Sequence, residues 1–310
     1  MPSGSGFAAA RSRDLMVVAG LPAMLAGLAL CWVLTQPIGP GAVAIPTTVA
    51  LGAAVVLVGL GALPTIGAEP STRTIGVLAA IWLMAVLFAA WLRAADVSGV
   101  EPADVDLGQF GDVLIGGAPE LIAGAAAVLV LVWVVADLLT TSTVPVAVVA
   151  ALAAIGVLTM AISGHASVHA WGPVVVGAHA IGAAWWCGSL AAMVLSVRGR
   201  SGWATTLPAF SQRAPWAVGV VAVTGVVAGL VEVGGVTELV TTGYGRVLLA
   251  KSVGLCVLLG IAWWHRTRWV PAAQRHRRTE AASIRSGVVE MLVMAVVLGL
   301  AAGLSATSPN

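Results

Sequence analysis

Three of the five histidines sit where the chain is otherwise apolar, and they are the side chains best equipped for chemistry. His165 and His169 are four residues apart, so they share one face if a helical turn runs through them. His179 lies further on, inside a long apolar run. Counted from Gly172 at about 1.5 Å per residue, it is roughly 10 Å into that run, too deep for ordinary solvation. Met160 comes little more than a turn before His165, and a thioether beside imidazoles suits copper better than magnesium or calcium. No carboxylate adjoins His179 in sequence, which also argues against calcium or magnesium. A zinc hydrolase is disfavoured because no glutamate accompanies the pair in a His-Glu-x-x-His arrangement. Two other readings stand beside a metal site. In one, His179 hydrogen-bonds a neighbouring helix and His165 caps the preceding one. In the other, His165 or His169 joins His179 in bis-histidine haem ligation. The haem reading lacks a second histidine pair at the inner face, since His265 and His276 lie among arginines in a segment that reads as a loop.

Other ionisable groups within apolar runs also need partners, because each costs at least a few kcal/mol in a bilayer. Lys251, with Arg246 one turn before it, falls in one apolar helix, and Glu232 and Glu238 are the nearest candidate partners in sequence. A structural ion-pair network accounts for these two cations as well as transport does. Glu290, near the inner end of the last run, is expected to snorkel to the interface. Trp185 and Trp186 lie mid-span and read as core packing, and Cys187 as a buried, inert thiol.

The elements that must position these groups follow from composition. The 310 residues are 59% hydrophobic and 9% charged, with a mean hydropathy of +1.02, which excludes soluble enzymes and nucleic-acid-binding proteins. Apolar runs of about 20 residues, long enough to cross a bilayer and without strand-like alternation, recur nine times. They fall near 15–35, 44–63, 74–95, 117–139, 145–163, 172–197, 214–232, 244–264 and 286–306. The expected fold is therefore all-α, a polytopic membrane bundle of about nine transmembrane helices. Arg11 and Arg13 precede the first run as in a signal peptide, but the run is long for a signal core and lacks a convincing cleavage site, so it is read as retained. With the N-terminus cytoplasmic, 12 of the 15 cations fall inside, leaving Arg93, Arg246 and Lys251 toward the outside. Asp96, Glu101, Asp104, Asp106, Asp112 and Glu120 gather in or beside the longest external loop. Cys31, Cys187 and Cys256 each stand alone, so no disulfide framework is indicated. The arginine-rich loop around 265–278 reads as a positive-inside anchor, with acidic lipid binding as the sharper alternative. Gly164, Gly172 and Pro173 mark the best internal boundary, which divides the chain into 1–163 and 164–310.

A set of short motifs in the second segment resembles the copper resistance protein D (CopD) family of bacterial inner-membrane proteins. They are Gly164-His165-Ala166, the stretch His179 to Leu190 with Trp185, Trp186 and Gly188, and Val223-Thr224-Gly225-Val226-Val227. After these come Tyr244-Gly245-Arg246 through Lys251, an arginine-rich turn with Arg266, Arg268 and Pro271, and Arg285 with Glu290 opening the last helix. Their order and spacing cover His165 to Ser305, a little under half of the chain, while the first four spans match only in general character. The sequence departs from the family pattern at Cys187 and Ser189, where a small or apolar residue and a glycine are expected. The resemblance implies copper handling, usually copper passage from periplasm to cytoplasm, with His165 and His179 as the metal residues it points to. It also implies partners: a periplasmic copper-binding protein or cytochrome oxidase assembly components.

The expectation is thus a multi-pass protein of the bacterial inner membrane that transports or relays copper and is not an enzyme. His165, His169, His179 and Met160 are its candidate copper ligands, the lipid bilayer and the copper ion its surroundings and cargo, and nucleic acid is not a partner. The alternatives are an assembly factor delivering copper to cytochrome oxidase and, behind it, a membrane haem protein. The charge partition predicts that a reporter fused after Asn310 is active in the periplasm and one inserted at 270–280 is active in the cytoplasm. Finding Asn310 inside would remove an odd number of spans.

Overall fold

The computed structural model describes residues 19–140, 144–162, 171–232 and 237–307, and among these there are helices and turns but no strand. The first half contains α1 (Gly20–Leu34), α2 (Ala44–Ala62), α3 (Thr72–Ser98), the short α4 (Leu107–Gly116), α5 (Ala118–Leu139) and α6 (Ala147–Ile162). The second contains α7 (Gly172–Ser196), α8 (Gly199–Glu232), the single turn α9 (Glu238–Thr241), α10 (Gly243–Trp264), α11 (Val270–Gln274) and α12 (Glu280–Ser305). Seven helical segments are long and apolar enough to cross a membrane, and α1 and α6 are shorter apolar helices. Each of the nine apolar runs therefore coincides with one of these helices, and the chain is a multi-pass helical membrane protein.

Local chemistry sets the ends of the helices. Pro119 and Pro173 stand in the first turns of α5 and α7, where a missing N–H costs nothing. Thr242 accepts a hydrogen bond from the Gly245 N–H at the start of α10, and Thr279 one from the Ala282 N–H at the start of α12. Asp106 and Gln109 form a reciprocal capping box on α4, so the long external segment is not a plain loop. Glu120 pairs with Arg93 at 2.7 Å. Two of the six acids in or beside this segment thus have local partners, whereas Asp96, Glu101, Asp104 and Asp112 are exposed.

Two segments that read as inner loops are instead helical. Residues 199–213 extend α8 to 34 residues. Gly199, at φ 69, supplies the left-handed turn after α7, and the new helix starts at once. Within α8, Pro215 has no N–H to offer the Ser211 carbonyl, and Arg266 Nη1 donates to that oxygen at 3.0 Å. The second segment follows α10, where His265–Trp269 forms a π-turn leading into α11. Pro271 explains the widening, because its ring excludes the normal approach of the carbonyl four residues back.

One main apolar core draws residues from both halves of the chain, so 1–163 and 164–310 interleave. α2 and α12 are mostly buried, while α8 and α10 expose most of their apolar surface, as lipid-facing helices do. Trp186 is buried in the core and Trp185 stacks on Phe210 at 5.9 Å, as core packing requires. Glycines set the closest approaches. A Cβ on Gly188 would overlap the Val55 carbonyl, one on Gly59 would overlap the Gly188 carbonyl, and Gly27 and Gly299 lock α1 to α12 in the same way. The family departures flank Gly188: Cys187 and Ser189 are both buried, and the close α2–α7 contact survives because it falls on the glycine between them. Gly188→Val is expected to destabilise the bundle by about 1–3 kcal/mol through overpacking. Unfolding in detergent checks this, with Gly41→Val, in open space, as the neutral control.

Candidate functional site

The outer site is built around His179, two turns into α7, where the ring faces α8. Its Nδ1 lies 3.1 Å from the Val221 carbonyl and 3.2 Å from Thr224 Oγ1. The Thr224 hydroxyl donates its own proton to the Val220 carbonyl at 2.5 Å, so Oγ1 can only accept from the ring. Both partners of Nδ1 are acceptors, and this fixes the neutral imidazole as the Nδ1–H tautomer. Among the described residues, no hydrogen bond engages the Nε2 lone pair. Gly225 gives the ring its room, since a Cβ there would lie 3.3 Å from the imidazole Cε1.

The remaining candidates are placed unevenly. His165 and His169, with Gly164, lie outside the described residues. Met160 is partly buried on α6, which packs beside α7. Among the described residues, no three of His, Cys, Asp and Glu gather as a metal cage. A metal ion at His179 would therefore need donors beyond the described histidines, cysteines and carboxylates. Lys251 is half-buried and within electrostatic reach of His179 and Cys31, so it faces the bundle. Its positive charge means that a cation held here depends on lone-pair donation more than on opposite charge, which favours the neutral donors preferred by copper. Among the described residues, the partners of Arg246 are main-chain oxygens, and the side chain of Glu232 lies outside that description. The Arg246 Nε donates to the Leu34 carbonyl at 2.8 Å and its Nη1 to the Thr241 carbonyl at 3.3 Å. A guanidinium at the C-terminal end of α1 answers that helix's unpaired carbonyls and its dipole. Glu238 is exposed.

A second constellation, at the opposite end of the bundle, is one that sequence reasoning missed. His265 Nδ1 lies 2.6 Å from Glu290 Oε2, with one hydrogen between them, and the residues are only 6% and 3% exposed. Trp269 meets the imidazole edge-on at 4.7 Å and donates its Nε1–H to Ser283 Oγ at 3.2 Å. Neither the expected loop position of His265 nor the expected snorkelling of Glu290 holds, because the π-turn carries the helix inward past Trp264. The available signal was Glu290 itself, a carboxylate one turn or more inside an apolar helix, for which burial demands a partner.

The segments that build this second constellation and cradle His179 from α8 also carry the match to known proteins. Residues 204–304 match the family model for copper resistance protein D. This stretch belongs to the CopD family. It spans about a third of the chain and contains Thr224, Gly225, Arg246, Lys251, His265 and Glu290. His165, His169, His179 and Met160 precede it. No curated protein and no solved structure matches the chain. The CopD stretch connects this membrane protein with copper resistance.

Removing one member of the buried pair strands the other in an apolar environment. Either His265→Leu or Glu290→Leu alone is expected to cost about 3–5 kcal/mol, and the double variant to recover most of that loss. A double-mutant cycle by chemical unfolding in detergent measures the coupling. Additive losses would show that the two side chains do not depend on one another.

Proposed function

We propose that this protein is a copper transporter or copper relay of the bacterial inner membrane, taking copper from the periplasmic side toward the cytoplasm. The observation that carries this reading is the fixed tautomer of His179. Its Nδ1–H is held by Val221 and Thr224 of the CopD stretch, leaving a neutral nitrogen lone pair facing away from those bonds. Metal-binding imidazoles are oriented by the same kind of backbone and hydroxyl acceptor.

In this mechanism copper is the cargo. His179 Nε2 binds it, His165 and His169 complete an imidazole set from the segment between α6 and α7, and Met160 offers a thioether for Cu(I). Donors of this kind bind without charge neutralisation, which allows release as well as capture. The exposed acids at 96, 101, 104 and 112 raise the local concentration of cations on the same outer face. A periplasmic copper-binding protein is the donor that suits such a site, and cytochrome oxidase assembly is a use for the copper that passes. No covalent chemistry is assigned to the chain.

Copper stoichiometry and helical content are to be measured side by side for His165→Ala, His169→Ala and His179→Ala, with copper uptake into proteoliposomes for each. Loss of copper in folded His165→Ala and His179→Ala is the expected result, and full occupancy in both would sink the assignment. Thr224→Val removes one orienting acceptor and is expected to weaken copper binding by about 10–100-fold while leaving the fold intact.

A further inference from the structure

We propose that the buried His265–Glu290 pair is a proton-exchange site that couples copper passage to proton movement. The inference rests on the transport reading above and deepens it by naming the coupling ion. Three observations carry it. The pair is nearly inaccessible, yet His265 opens a turn whose next residues, Arg266 to Arg268, are exposed, and two guanidiniums there call for water or headgroups beside the pair. His265 opens a π-turn, a rare irregularity that recurs at functional sites. The pair's charge is also switchable. With Nε2 carrying its own hydrogen and a second proton between Nδ1 and Oε2 the pair is neutral, and without that second proton it carries one negative charge, which can offset a passing copper cation.

Surrounding groups leave the pair as the natural site of exchange. α2 and α11 carry no ionisable side chain. α1 carries Cys31 and α7 carries His179, both toward the outer end, together with Cys187, which is buried and within electrostatic reach of Glu290. On α8 there are Arg200 and Arg213, both exposed, and Glu232 closes that helix at its far end. α10 contributes Arg246 and Lys251 toward the outer end and the exposed Cys256. Beyond α11, Arg275, His276 and Arg277 are exposed, while Arg278 lies over Trp264 at 5.9 Å and donates to Ser286 Oγ at 2.9 Å. α12 adds Glu280 and the exposed Arg285. Arginines therefore surround this end of the bundle, and among the described residues Glu290 is the carboxylate bonded to His265. A proton leaving the pair passes to water at the Arg266–Arg268 turn.

The test uses the full chain in proteoliposomes with copper(I) kept reduced by ascorbate. If one proton exchanges per copper, one pH unit across the membrane shifts the copper accumulation ratio by about tenfold. Glu290→Gln and His265→Gln should still let copper equilibrate but lose the response to the pH gradient. A folded Gln variant of either residue that keeps the response overturns the inference. So does wild-type protein that accumulates copper independently of the gradient, an outcome that leaves the transport reading standing. Wild-type vesicles that take up no copper overturn both. Should neither variant fold, a pH-indicator dye in a weakly buffered suspension still decides the matter in wild-type protein. Stoichiometric proton movement on copper addition supports the pair's role, and its absence overturns it.

Discussion

An apolar helix bundle can hold an ionisable or strongly polar side chain only where another segment answers it, and that constraint organises the polar contacts of this protein. Backbone carbonyls freed at helix ends and at prolines are answered by arginines: Leu34 at the end of α1 by Arg246, and Ser211 opposite Pro215 by Arg266. Side chains answer one another across helices, as Thr72 does for Asp137 at 2.7 Å and Arg93 for Glu120. Each contact joins segments far apart in sequence, so the polar groups act as register pins. The bulk of the attraction comes from small residues and close packing. Leu, Ala and Val fill the bundle but fit many registers. A guanidinium that must meet one carbonyl fits few.

Much of the architecture was legible because its signal is one-dimensional. Hydrophobic length identifies a span, and the nine runs correspond to the nine apolar helices without needing to know how they pack. The close approach at Gly188 could be anticipated from its motif, since a glycine in an apolar helix admits a neighbouring backbone. What was not legible came from geometry at the membrane edges. Residues 199–213 and 265–274 contain arginine, proline and threonine, which read as loop by composition. The helix continues because a partner elsewhere compensates the broken hydrogen bond at Pro215, and because the turn before Pro271 widens instead of ending. Arg246 shows the same limit. Its charge suggested a carboxylate, whereas its partners among the described residues are main-chain oxygens, which carry no mark in a sequence.

Of the candidate copper ligands, the sequence supplied the residue types and His179's environment supplied the chemistry. A histidine deep in an apolar helix is equally a packing residue and a ligand until its proton is located. Here the packing bond and the ligand role are complementary, because each nitrogen of the ring can serve only one of them. The bond to Val221 satisfies the demand that a buried polar group be paired, and it does so through Nδ1. The reading of His179 as a helix-packing residue is therefore correct for one nitrogen and silent about the other.

The arrangement also separates two kinds of chemistry along the bundle. His179 and Lys251 mark the outer third, while His265 and Glu290 mark the inner end; fourteen residues of helix between Lys251 and His265 amount to about 20 Å. Neutral donors next to an ammonium lie at one end, and a carboxylate bonded to an imidazole lies at the other. A soft cation is best captured by lone pairs where charge is unfavourable, because harder, more strongly hydrated ions are then turned away. The CopD stretch builds the whole of the inner station and contributes Lys251 and the cradle, Val221, Thr224 and Gly225, to the outer one. On this division, the imidazole itself comes from the part of the chain before residue 204, while the groups that orient it and set its electrostatic surroundings come from the CopD stretch.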